Sequence, residues 1–160
     1  MTENSKSFVD SNIWLYNFIS TQNAQKSQRA KDLIKNNKNI ICLSTQVVNE
    51  VCFNLKRKEN FDEIRLKQII TRFYFDYEII ELDKKILLLA SDLRSRYPFS
   101  FWDGLIAASA LWATAEILYS EDMQNGLLVE NKMNFSRGRA ARYLIGKILF
   151  PYFRSRATGN

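Results

Sequence analysis

Ile40-Ile41-Cys42-Leu43-Ser44-Thr45-Gln46-Val47-Val48-Asn49-Glu50-Val51-Cys52 is the stretch that sets the fold class. Its first four residues are apolar without alternation, the pattern of a strand covered on both faces. Ser44 or Thr45 then offers a hydroxyl to cap a helix. Within that helix Val47, Val48, Val51, Cys52 and Leu55 recur at helical spacing and form one apolar stripe. A doubly covered strand feeding directly into an amphipathic helix implies a parallel sheet packed against helices.

The neighbouring segments continue the alternation. Phe8-Val9 reads as a short strand closed by the polar turn Asp10-Ser11-Asn12, after which Ile13-Trp14-Leu15-Tyr16 resumes an apolar stretch. Residues 24–37 form a polar helix stopped by Asn36-Asn37-Lys38-Asn39. A third helix is predicted over 61–75 with Ile64, Ile69 and Phe73 inward, then a strand over 78–82. Residues 84–96 follow as a helix burying Ile86, Leu89, Ala90 and Leu93. Pro98 breaks the chain before an alanine-rich helix at 102–113, whose Ala107, Ala108, Ala110 and Ala113 permit close packing, and Glu116-Ile117-Leu118-Tyr119 is a further strand. The expected architecture is α/β, a parallel sheet between two helical layers.

Composition narrows the chemistry. The 160 residues contain no histidine, which removes Ser-His-Asp triads, His-activated thiols and histidine-bound zinc. Seventeen acids remain, oxygen donors suited to a hard divalent cation. Two cysteines make no disulfide framework and fit a reducing cytoplasm. Neither a signal peptide nor a run of ~20 apolar residues is recognisable. Residues 1–134 balance 17 basic side chains against 17 acidic ones, whereas 135–160 hold Arg137, Arg139, Arg142, Lys147, Arg154 and Arg156 and no acid. Charge thus divides the chain into a neutral domain, 1–134, and a basic extension, 135–160, expected to be non-native or poorly ordered, or else an RNA-backbone clamp.

Open parallel sheets bind ligands beyond the carboxyl ends of their strands. Four acids fall at such junctions: Asp10 after the first strand, Glu50 in the helix after the second, Asp103 opening the alanine-rich helix, and Asp122 after the strand ending at Tyr119-Ser120. Gathering four carboxylates is unfavourable unless a cation lies among them. Each acid also has an ordinary role open to it. Asp10 can close an Asx turn, Asp103 can complete a capping box with Ser100, Glu50 lies off the apolar stripe where a solvated side chain is the norm, and Asp122 can serve a turn.

Phe8-Val-Asp10-Ser-Asn-Ile-Trp-Leu-Tyr16, Ser44-Thr-Gln-Val-Val-Asn-Glu50, Ser100-Phe-Trp-Asp103-Gly-Leu-Ile-Ala-Ala108 and Leu118-Tyr-Ser-Glu-Asp122-Met-Gln124 resemble, in order and spacing, the four acidic motifs of PIN-domain nucleases, above all toxins of the VapC type. The resemblance covers about residues 7–132. It implies a three-layer α/β/α PIN-like domain with a central parallel sheet, and a Mg²⁺-dependent endoribonuclease in which Mn²⁺ can substitute. On that resemblance Asp10, Glu50, Asp103 and Asp122 are the catalytic and metal-binding quartet. Ser120 fills the family's small hydroxyl position, with Asn12 and Glu121 supporting. Gln124 stands where a further aspartate is common, and Glu121 is a candidate replacement. The implied partners are RNA, a small antitoxin whose basic side chain enters the acidic site, and a second copy of the chain; no membrane is involved.

Lys56-Arg57-Lys58, and in the extension Arg137, Arg139 and Arg142, are candidate RNA contacts, although a charged helix end is ordinarily just solvated. Trp14, Trp102 and Trp112 read as core or dimer-contact residues before base-stacking platforms. Two other phosphate chemistries do not fit. A phosphoryl-acceptor domain lacks its paired acid beside Asp10, and an Asp-x-Asp phosphohydrolase is excluded because Asn12 holds its second aspartate position. The alternative reading is a non-catalytic RNA-binding module on the same fold.

Overall fold

A computed structural model describes residues 6–21, 23–123, 128–130 and 142–147. In chain order the elements are β1 (Ser7–Val9), α1 (Ser11–Phe18), α2 (Ala24–Asn37), a 3₁₀ turn (Lys38–Ile40), β2 (Ile41–Ser44), α3 (Thr45–Glu59), α4 (Glu63–Asp76) and β3 (Glu78–Ile80). There follow α5 (Lys84–Arg96), α6 (Phe101–Trp112), β4 (Ile117–Ser120), β5 (Leu128–Glu130) and β6 (Arg142–Lys147).

Side-chain caps explain where the helices begin. Asn23, Ser44, Asp62, Asp83 and Ser100 each accept a hydrogen bond from a backbone N–H in the first turn of the helix they precede. Asp10 does the same for α1 through Ser11 N. The expected turn at Asp10-Ser11-Asn12 is therefore the first turn of a helix, and the apolar stretch after it is that helix's body. In α4 the cap at Asp62 sets the phase so that Leu66 and Phe73 are buried, while Ile64, expected inward, is 69% exposed.

The strands run in the order β3-β2-β1-β4-β6-β5. β1 to β4 are mutually parallel, β6 is parallel to β4, and β5 is antiparallel to β6. β6 lies in the segment set apart on charge, and it pairs with β4 from Ile117↔Leu144 to Ser120↔Lys147. Gln124, Arg137, Arg139, Arg154 and Arg156 lie outside the described residues, and no side-chain position is assigned to Arg142. The helices pack in two groups, α1 with α2 and α3 and α3 with α4, and α5 with α6, which lies on β2. This is the three-layer α/β/α arrangement.

All of β1 and β2 is buried, as a sheet covered on both faces requires. Phe8, Val9 and Leu43 of the sheet join Val47, Val51 and Leu55 of α3 and Ile106 and Ala108 of α6 in one core. Trp14 is buried in it, edge-on to Phe73 at 4.9 Å, with its indole N–H donated to Val9 O. Trp112 packs partly buried against the same core, whereas Trp102 is 61% exposed. Cys42 and Cys52 are free thiols, and burial pushes Cys42 up to about 12, so it is inert. No described helix is long and apolar enough to cross a membrane.

Candidate active site

The chain passes from β1 outward through β2 to β3, then returns to lay β4 on the other side of β1. That reversal opens a crevice beyond the carboxyl ends of β1 and β4, the position where open α/β sheets bind ligands. Asp10 stands at the end of β1 and Ser120 at the end of β4. Asp10 N donates to Tyr119 O at 2.9 Å, carrying the pairing of the two strands to the crevice floor.

Asp10 is only 6% exposed. Its Oδ1 accepts from Ser11 N at 2.6 Å and its Oδ2 from Ser120 Oγ at 2.8 Å. Burial, opposed by those two hydrogen bonds and reinforced by the negative charges of Glu50 and Asp103, raises its pKa to about 6. Three of the four motif acids thus share one electrostatic environment.

Glu50 arrives from the second turn of α3. It is half-buried and fixed at both oxygens, Oε2 accepting from Ser11 Oγ at 2.5 Å and Oε1 from Gln46 Nε2 at 2.7 Å. Gln46 is one turn earlier on the same helix, the spacing at which side chains meet. Asp103 enters from the N-terminal turn of α6, where its N–H donates to the Ser100 cap at 3.1 Å. Its capping geometry and its proximity to Asp10 are compatible, because a helix N-terminus itself favours negative charge.

Asp122 occupies the rim. It is exposed, its Oδ2 accepts from Asn12 Nδ2 at 3.0 Å, and its N–H donates to Ser120 Oγ at 3.3 Å. Asn12 also accepts from Glu121 N at 3.3 Å, so one asparagine ties the loop after β4 to α1. The Glu121 carboxylate pairs with Lys26, which also donates to the Tyr16 hydroxyl at 3.0 Å. Glu121 is therefore turned onto α2. Gln46 and Ser11 were not singled out as site residues in the sequence; the only available signal for Gln46 was its place one helical turn before Glu50.

Lys56, Arg57 and Lys58 lie six to eight residues past Glu50 on α3, roughly 9–12 Å along its axis. Lys56 pairs with Glu63, and Arg57 lies 5.6 Å from the centre of the Phe53 ring. The donor set at the crevice consists of carboxylate, hydroxyl and amide oxygens, which fits Mg²⁺ or Mn²⁺. Asp10, held above its ordinary pKa by burial and by like charges, is a group that a cation would relieve. Among the described residues no three such side chains stand close enough to enclose an ion unaided.

Residues 7–124 match the profile of the PIN domain. Among solved structures the chain is similar to VapC20 of Mycobacterium tuberculosis, a sarcin-ricin-loop-cleaving toxin, at 15% identity over 71% of this chain and 87% of that one, with a TM-score of 0.59. It is similar to a toxin–antitoxin complex from Klebsiella pneumoniae at 20% identity over 73% and 87%, TM-score 0.56. It is also similar to VapBC2 of Rickettsia felis bound to a promoter DNA fragment, at 20% identity over 74% and 88%, TM-score 0.52. No curated protein matches the sequence.

Proposed function

The chain belongs to the PIN domain family, and from that premise we propose that it is a divalent-metal-dependent endoribonuclease, the toxin of a VapC-type toxin–antitoxin pair. The observation that carries this reading is Asp10, a buried carboxylate at the sheet's crevice whose pKa stands at about 6 beside the charges of Glu50 and Asp103. A purely structural cap gains nothing from two neighbouring acids, whereas a cation site requires them.

Asp10 and Asp103 would hold the ion directly, with Glu50 and Asp122 completing the set directly or through water. Bound there, Mg²⁺ or Mn²⁺ supplies a Lewis acid that activates water and offsets charge on the phosphodiester. The protein's own contribution is orientation. Ser120 and Ser11 N fix the two oxygens of Asp10, and Gln46 and Ser11 Oγ fix those of Glu50. Asn12 holds Asp122 at the mouth of the crevice. The proposed partners are unpaired RNA, an antitoxin presenting a basic side chain to these acids, and a second copy of the chain.

Incubation with structured and unstructured RNAs in Mn²⁺, in Mg²⁺ and in EDTA tests the proposal. Cleavage must depend on the ion and vanish in Asp10→Asn. RNA binding without cleavage in any of these conditions would instead establish the non-catalytic module.

A further inference from the structure

Arg94-Ser-Arg96-Tyr97-Pro98-Phe99-Ser100-Phe101-Trp102 leads into Asp103 and interleaves cations with aromatic rings. Tyr97 and Phe99 pack against the core, but Phe101 and Trp102 are 60% and 61% exposed. The two exposed rings stand edge to face, 5.2 Å between centroids at 81°. Arg94 reaches across from α5, its guanidinium 4.3 Å from the centre of the Phe101 ring and its Nη1 donating to Phe101 O at 3.2 Å. Gly104 makes this possible, since a Cβ there would lie 2.5 Å from Arg94 Cγ and 3.0 Å from its Cδ. The cation is thereby held in place against the ring.

This cluster adjoins Asp103 on the same helical turn. The acids of the crevice repel a phosphate backbone, so an RNA strand has to be held by groups beside them. A neutral π-face and a fixed guanidinium are the two groups that hold single strands without reading sequence. Resting on the nuclease reading above, we propose that Trp102, braced by a Phe101 ring that Arg94 covers, is a positioning residue. It stacks an unpaired base of the RNA strand and so seats the neighbouring phosphate at Asp103. A base locked in a duplex offers no free face, so the platform also selects single strands.

The test uses labelled single-stranded RNA and a blunt RNA duplex, with binding read by fluorescence anisotropy in an Asp10→Asn background that prevents cleavage. Trp102→Ala should weaken single-strand binding roughly five- to 150-fold, Trp102→Phe should keep most of it, and duplex binding and thermal stability should not move. In the active protein Trp102→Ala should raise KM by a similar factor while kcat at saturating RNA stays within about twofold. If the wild type cuts RNA while Trp102→Ala keeps its affinity and KM, the platform is overturned and the nuclease reading stands. A wild type that neither binds nor cuts RNA overturns both. Conversion of a dimer to a monomer by Trp102→Ala, with KM unchanged, assigns the rings to a second copy of the chain and overturns the platform.

Discussion

Ser120 Oγ donates a 2.8 Å hydrogen bond to Oδ2 of Asp10, joining the ends of β4 and β1 across 110 residues of chain. Both groups are buried. The bond favours the ionised form of Asp10, while burial and the charges of Glu50 and Asp103 oppose it, with the net result a pKa of about 6. The balance between these effects is open to measurement.

Asp10 makes folding stability pH-dependent in a direction opposite to that of an ordinary salt-bridged aspartate. Its folded pKa is raised, so between about pH 4 and about pH 6 the folded protein keeps a proton that the unfolded chain has released. The associated stability is fully present below the unfolded value and is lost as pH rises through the folded one, about 3 kcal/mol at most. Without divalent ions, Asp10→Asn should therefore be the more stable protein at pH 7 and lose its advantage near pH 4. Urea denaturation of both proteins across this range checks it; a variant less stable than wild type at pH 7 would mark Asp10 as a structural cap.

Mn²⁺ or Mg²⁺ should raise the melting temperature, since an ion bound only by the folded state stabilises by about 2.7 kcal/mol at a hundredfold excess over Kd. The shift should disappear in both Asp10→Asn and Asp103→Asn. Differential scanning calorimetry with and without EDTA measures this, and a melting curve indifferent to millimolar Mn²⁺ contradicts the site.

Ser120→Ala removes a hydrogen bond to a buried carboxylate and the acceptor for Asp122 N. The expected cost at pH 7 is about 1.5–3 kcal/mol. Because Ser120 lowers the pKa of Asp10, the acid limb of the cleavage profile should move to higher pH. In an Asp10→Asn background the stability cost should shrink, a coupling that a double-mutant cycle reads directly. Equal costs in both backgrounds would show that Ser120 acts on β4 alone.

Thr114 follows α6 with φ of 58°, a left-handed conformation that a β-branched residue adopts only under strain. It is exposed. Thr114→Gly should stabilise the protein by about 1 kcal/mol, the relief of strain outweighing the extra freedom of the unfolded chain. Chemical denaturation checks the sign, and a loss of stability would mean that the Thr114 side chain makes a contact of its own.

Where the sequence was legible, local chemistry and tertiary packing agreed. Residues 24–37 and 84–96 were read to their ends because an asparagine cluster stops the first and a clear apolar stripe marks the second. Asp10, singled out at the end of the first strand, is buried there and feels the charges of Glu50 and Asp103. Reading failed where position depends on a distant partner. Ser11, read only as part of a polar turn, donates its hydroxyl to Glu50 from another element. Trp102, read as a core or dimer-contact residue, is not part of the core, being 61% exposed at the start of α6. The pairing of β6 with β4 carries no signature in a segment whose most visible property is charge.

The order in which the strands are laid down also has a temporal meaning. Asp10 is made early, but Ser120, at the end of β4, comes 110 residues later. At the usual pace of synthesis, about 5–20 residues per second, that interval is roughly 5 to 20 seconds. During it the first acid has no neighbouring strand on its β4 side and no serine to hold it. The arrangement of Asp10 described above is thus completed only once β4 has paired with β1.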